Sequence, residues 1–121
     1  MVGGGVTGGI EYITRSEDYA LVYARGGSWV CNLLVMRALH TERALSRCGF
    51  SISKKVGKAV VRNRIKRLLR EIMRAAPLKP GWDIVLVARP EAAGTDYDSL
   101  KSAVERLLSQ ADLLETVSFV T

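Results

Sequence analysis

Apolar residues recur along this chain with several distinct spacings, and each spacing predicts an element. Between Gly57 and Pro77, the residues Val61, Ile65, Leu68, Leu69, Ile72 and Met73 fall at i, i+4, i+7, i+8, i+11 and i+12. That is one face of an α-helix, covering about a third of its circumference. Leu100, Ala103, Val104, Leu107, Leu108 and Ala111 repeat the helical pattern near the end of the chain, with Thr95 or Asp96 placed to cap a closing helix. The run WDIVLVA, residues 82 to 88, is short and continuously apolar, lies between Gly81 and Pro90, and predicts a buried strand. Residues 28 to 39 have the β-branched and aromatic content of a strand. Residues 47 to 53 form a second one, with Phe50 and Ile52 to one side and Ser51 and Ser53 to the other. The polar stretch from His40 to Ala44 reads as a short loop joining these two strands into an antiparallel hairpin. Earlier still, Ser16, Glu17 and Asp18 read as a helix start, with the serine hydroxyl as cap and acids in the first turn. This helix runs to about Arg25 and stops at Gly26-Gly27; Tyr19 and Tyr23 share a face of it, and Leu21 and Val22 offer another. Residues 10 to 13 offer a short strand at most.

The predicted order is α, β, β, α, β, α. Strand, helix and strand across residues 47 to 88 make a βαβ unit with a parallel pair. Together with the hairpin this predicts an α+β domain, a small mixed sheet of three to four strands covered by helices in a split-βαβ arrangement. A chain of 121 residues holds one core. The expected organisation is a flexible or weakly ordered, Gly-rich segment over residues 1–13, one domain over 14–114, and a tail over 115–121. No run reaches the length of a membrane span and no secretory signal is visible, so the expected compartment is the cytoplasm, with no membrane partner.

Charge changes the picture at one place. The stretch KKVGKAVVRNRIKRLLREIMR, residues 54 to 74, holds nine of the eighteen Lys and Arg residues and a single carboxylate, Glu71, for a formal charge of +8. The rest of the chain carries nine bases against eleven acids, −2. The excess of +6 is therefore a local property of the helix whose other face is apolar. Arg62, Lys66, Arg70 and Arg74 form an i+4 ladder of like charge, which costs a few tenths of a kcal/mol per pair. A merely solvated face interleaves signs, as the closing helix does with Lys101, Glu105 and Arg106. An unrelieved ladder predicts a polyanion partner, and a pI near 9.7 concentrated on one helix favours nucleic acid. Arginine forks suit phosphate, and Asn63 between Arg62 and Arg64 adds an amide suited to a 2′-hydroxyl or base edge.

Catalytic chemistry, by contrast, finds no constellation. Two-metal hydrolysis needs converging carboxylates, but the twelve acids are scattered, and Asp96 and Asp98 are explained by a helix start. The single histidine, His40, has no second partner and is assigned no role. Cys31 and Cys48 have neither disulfide nor metal spacing and read as small buried hydrophobes. Gly57-Lys58 lacks the rest of a phosphate loop. No catalytic residue and no metal ligand is assigned to this chain.

The stretch SISKKVGKAVVRNRIKRLLRE, residues 51 to 71, resembles the signature of the bacterial ribonuclease P protein component, an Arg-Asn-Arg helix preceded by a Ser-x-Ser-Lys-Lys-x-Gly turn. The flanks agree in the early helix SEDYALVYARGG, the strand WDIVLVARP and the closing helix, so the resemblance covers roughly residues 14 to 112. It implies an α+β domain with a left-handed βαβ crossover, which pattern alone would not supply. It also implies a partnership with a catalytic RNA and with precursor tRNA, whose 5′ leader is removed endonucleolytically, the RNA holding the catalytic magnesium and the protein binding no cofactor itself. Carried onto this chain, Arg62, Asn63, Arg64, Lys66, Arg67 and Arg70 are implied RNA contacts, with Lys54, Lys55 and Lys58 beside them. Tyr19 and Tyr23 fall on the family's two aromatic positions in the leader-binding cleft. The family usually carries a basic segment before the first helix; here MVGGGVTGGIEYI is nearly uncharged, and no RNA contact is assigned to it. Residue pattern alone leaves two alternatives: a ribosomal or other structural RNA-binding protein of split-βαβ plan, and a DNA-binding regulator. The second is disfavoured by a helix with few base-reading side chains.

Overall fold

The computed structural model describes residues 10–115. The apolar run at 82–88 becomes a strand whose residues Ile84, Val85 and Leu86 are fully buried. A strand with apolar residues on both faces is stable only between neighbours and under cover on both sides, and this one is central. With β1 (Glu11–Tyr12), β2 (Gly27–Val30), β3 (Leu34–His40), β4 (Arg47–Ser51) and β5 (Trp82–Ala88), the sheet order is β1-β4-β5-β3-β2. β1 and β4 are parallel, as are β4 and β5, whereas β3 runs antiparallel to both β5 and β2. Three helices complete the α+β domain: α1 (Ser16–Arg25), α2 (Ala59–Ala75) and α3 (Tyr97–Gln110).

Alternation along the strands sorts the core into two unequal layers. Met36, Cys48, Ile84 and Leu86 face α2 and α3, meeting Ile65, Leu69, Ile72 and Met73 from one helix and Leu100, Val104, Leu107 and Leu108 from the other. Full burial of each large side chain contributes about 1.5–3 kcal/mol. Both helical faces read from spacing are thus core faces; Val61, Leu68 and Ala111 lie at their half-buried margins. The opposite layer is small. Val22 of α1 packs on Val85 with Ile13, flanked by Tyr19, Leu39 and Val87. Leu21, the other apolar side of α1, is 44% exposed.

Several expectations are corrected. The sheet has five strands, not three or four. Residues 28–39 are not one strand: the chain turns at residues 31–33, so that β2 and β3 form the hairpin. The strands β3 and β4 do not pair with each other, because β5 is inserted between them. His40, expected in the loop, is instead the last residue of β3, and its ring packs edge-on to Trp82 at 5.0 Å. Arg15, not Ser16, occupies the cap position of α1, and it makes no side-chain cap hydrogen bond. Asp96 does cap α3, accepting the Ser99 N–H at 2.9 Å, and hydrogen bonds from Ser99 hold its carboxyl below the ordinary carboxylate value. Residues 10–13 do hold the short strand offered there: β1 pairs with β4, and Ile13 is buried. At the other end, Glu115 N–H donates to the Pro77 carbonyl. Residues 1–9 and 116–121, which hold the rest of the expected flexible segment and tail, lie outside the described residues. No helix among the described residues is long and apolar enough to cross a membrane.

Candidate nucleic-acid interface

The basic helix is built from its lead-in. After β4 the segment from Ser53 to Gly57 closes on itself: Val56 N–H donates to Ser53 O, Gly57 N–H to Lys54 O, and Lys55 N–H to Ser53 Oγ. Val56 is buried and pins this turn to the core, so Lys54 and Lys55 stand exposed on a fixed base. The turn feeds α2 with Lys58 at its cap position, with no capping side chain and no acid in the first turn. The positive end of the helix dipole therefore adds to the cations around it.

Along α2, exposure follows the helical wheel. Asn63, Lys66, Arg67, Arg70 and Arg74 are exposed, as are Lys54, Lys55 and Lys58 ahead of them, while Arg62 and Arg64 are half-buried. Arg62 Nε donates to Gly57 O at 3.1 Å and ties the lead-in turn to the helix. On the flank toward α3, a guanidinium nitrogen of Arg64 donates to Thr95 O at 2.8 Å. These two arginines spend part of their hydrogen-bonding capacity on their own backbone, which the sequence pattern does not show. Among the described residues, none of the nine cations in 54–74 forms an ion pair with a carboxylate, although five ion pairs form elsewhere. The like charges of the ladder are thus uncompensated within the described chain.

Tyr19 and Tyr23 lie on the other side of the sheet from α2. β1 ends after Tyr12, leaving the next outward N–H of β4 without a strand partner, and the Tyr19 hydroxyl takes its place by accepting from Phe50 N–H at 3.2 Å. The Tyr19 ring lies on Gly49, where a Cβ would come within 2.5–2.7 Å of it. Glycine is required here by close approach. Tyr19 is half-buried and fixed in place, while Tyr23, one turn on, is 39% exposed.

Arg37 joins them, a residue that sequence reasoning did not assign. It lies on β3 with its guanidinium carbon 5.8 Å from the Tyr23 ring centroid, and it donates to the Tyr23 carbonyl at 2.6 Å. A cation at that carbonyl suits the C-terminal end of α1. Its Nε is buried without a hydrogen-bond partner among the described residues. The signal was present: Arg37 is a lone cation between buried Met36 and Ala38.

A buried ion cluster joins α1 to the sheet. Arg47 donates from Nε to Asp83 Oδ1 at 2.9 Å, from a terminal nitrogen to Asp83 Oδ2 at 2.6 Å, and from the other to Asp18 Oδ2 at 3.3 Å. The bond to Asp83 outweighs burial and holds the guanidinium pKa above its ordinary value. These two acids are consumed by Arg47, and among the described residues no three His, Cys, Asp or Glu side chains come together as a metal site would need. Cys48 is fully buried and Cys31 half-buried; both are free thiols.

Comparison with known proteins agrees with this geometry. A sequence model of the family described as Ribonuclease P matches residues 10–112. A ribonuclease P protein component of Dehalococcoides mccartyi strain CBDB1 is 46% identical over 113 residues, covering 90% of this chain and 94% of that protein. One from Caldanaerobacter subterraneus subsp. tengcongensis is 38% identical over 105 residues, covering 85% and 90%. Among solved structures, the Staphylococcus aureus RNase P protein superposes with a TM-score of 0.79 at 29% identity, covering 86% of this chain and 97% of that one. The Thermotoga maritima RNase P protein superposes with a TM-score of 0.76 at 27% identity, covering 83% and 96%. With the family match spanning nearly the whole described domain, the chain belongs to the ribonuclease P protein family.

Proposed function

We propose that this chain is the RNA-binding protein subunit of a ribonuclease P, docking a catalytic RNA and supporting endonucleolytic removal of the 5′ leader from precursor tRNA. The observation that carries this reading is the uncompensated cationic face of residues 54–74, backed by a packed apolar face that holds it rigid. Lys54, Lys55, Lys58, Asn63, Lys66, Arg67 and Arg70 are the direct RNA contacts. Arg62 and Arg64 share that surface while bracing it from within. On the other side of the sheet, Tyr23 and Tyr19 offer rings to bases of the single-stranded leader, and Arg37 beside Tyr23 offers a cation to a phosphate or base edge. Magnesium belongs to the RNA in this reading, and no step of the cleavage passes through a side chain of this protein.

Reconstitution tests it. Added to a bacterial-type catalytic RNA at low magnesium, the protein should restore leader cleavage, and alone it should cleave nothing. Cleavage by RNA-free protein, or no effect on the rate, refutes the proposal. Tyr23→Ala should weaken binding of leader-bearing tRNA by about 1–3 kcal/mol and leave mature tRNA unchanged; equal loss on both removes the leader from the cleft.

A further inference from the structure

Tyr12 lies on the side of the sheet away from Tyr19 and Tyr23. Alternation along the edge strand sends Ile13 under α1 and Tyr12 toward α2. There its ring centroid is 6.2 Å from that of Phe50, tilted by 51°, and the Arg70 guanidinium carbon is 5.5 Å from the Tyr12 centroid. Phe50 is half-buried against the main core and forms a fixed backing. Tyr12 itself remains 39% exposed. β1 is the outermost strand, and no further strand among the described residues covers the ring.

The cation next to this ring, Arg70, belongs to one flank of α2. Arg62 and Lys66 precede Arg70 at i+4 on the same flank, whereas Arg64 occupies the flank that meets Thr95 before α3. The neighbouring acids are directed elsewhere: Glu11 alternates away from Tyr12, and Glu71 lies 100° around the helix from Arg70. A half-exposed, backed aromatic ring thus lies beside a cationic ladder at Arg70. A lone anion would use the cations and leave the ring idle, and a double helix would bury its bases from it. A chain with phosphates and an unstacked base uses both.

We propose that Tyr12 is a stacking platform for an unpaired RNA base, with Arg70 receiving the adjoining phosphate, in a single-strand site on the α2 side of the sheet that is separate from the α1 side. The site rests on RNA binding by α2 and does not depend on where the leader lies. The test uses the full chain and an oligoribonucleotide carrying one 2-aminopurine, either single-stranded or annealed into a blunt duplex. Binding of the single strand by the wild type should quench 2-aminopurine fluorescence. Tyr12→Leu should weaken single-strand binding about tenfold, with duplex binding within about twofold and an unchanged salt slope, because no charge is removed. Tyr12→Phe, which keeps the ring, should match wild type, and the tenfold loss should persist in a Tyr23→Ala background. Absence of quenching by the wild type, which needs no variant to fold, overturns the proposal. So does equal loss on single strand and duplex, or a Tyr12→Phe variant as weak as Tyr12→Leu. Leader cleavage in the reconstituted enzyme is a separate readout, so this site and the subunit assignment fail independently.

Discussion

Replacing Arg47 with methionine should cost far more than a surface ion pair is worth. The Arg47 side chain is 9% exposed, Asp83 6% and Asp18 15%, so its removal strands two carboxylates with little water to replace the guanidinium. Breaking a buried pair from one side costs about 3–5 kcal/mol, against about 0.2–1 kcal/mol for an exposed pair. For a domain of this size, with a total stability of about 5–15 kcal/mol, that is a large fraction, equivalent to a fall of at least about 10 °C in Tm. Urea unfolding measures it directly. The damage should also be directional: Asp18 is the α1 end of the cluster, so hydrogen exchange should show α1 amides losing protection before those of α2. Adding Asp83→Leu should recover much of the loss, because a buried pair replaced by apolar groups of similar shape is often neutral. A loss below about 1 kcal/mol, or a double variant no more stable than Arg47→Met, would refute the view that this cluster holds α1 on the sheet.

Arg67→Ala should flatten the salt dependence of RNA binding by about 0.7 in log–log slope if it meets one phosphate of a single-stranded region. Arg64→Ala should flatten it less, because that guanidinium already donates to Thr95; equal flattening would show that Arg64 abandons Thr95 on binding. Burial of Cys48, with a smaller contribution from nearby Asp83, holds its thiol neutral far above its ordinary pKa. This is an acid whose folded pKa is raised, so its contribution to stability is complete below the unfolded value of about 8.5 and declines above it, by about 1.4 kcal/mol per pH unit. The stability gap between wild type and Cys48→Ala, measured by urea unfolding from pH 7 to 10, should change with that slope. A gap independent of pH would show that the thiol ionises in the folded state.

The helices were legible because their signal is local. The apolar stripes of α2 and α3 repeat every three to four residues, and both face the core as read. The burial of β5 was likewise legible from a continuous apolar run. Strand pairing was not. Sequence neighbours with a short loop favour a hairpin, yet β3 and β4 are separated by a strand more than thirty residues later. What decides in favour of β5 is long-range: its two apolar faces need cover on both sides, and Asp83 meets Arg47 in register, Arg47 being opposite Asp83 in the β4–β5 pairing.

The candidate interface divides the same way. By itself the sequence determined that a +8 segment lies on one amphipathic helix, since charge and helical spacing are local properties. Only the tertiary structure decided which cations remain free. Arg62 and Arg64 are braced against carbonyls that come from a preceding turn and from a loop thirty-one residues away. Only the fold could bring Arg37 to Tyr23, set Tyr19 on Gly49, and place Tyr12 between Phe50 and Arg70. Each of these contacts joins different elements, and a contact between elements exists only once the sheet order and the faces of its strands are set.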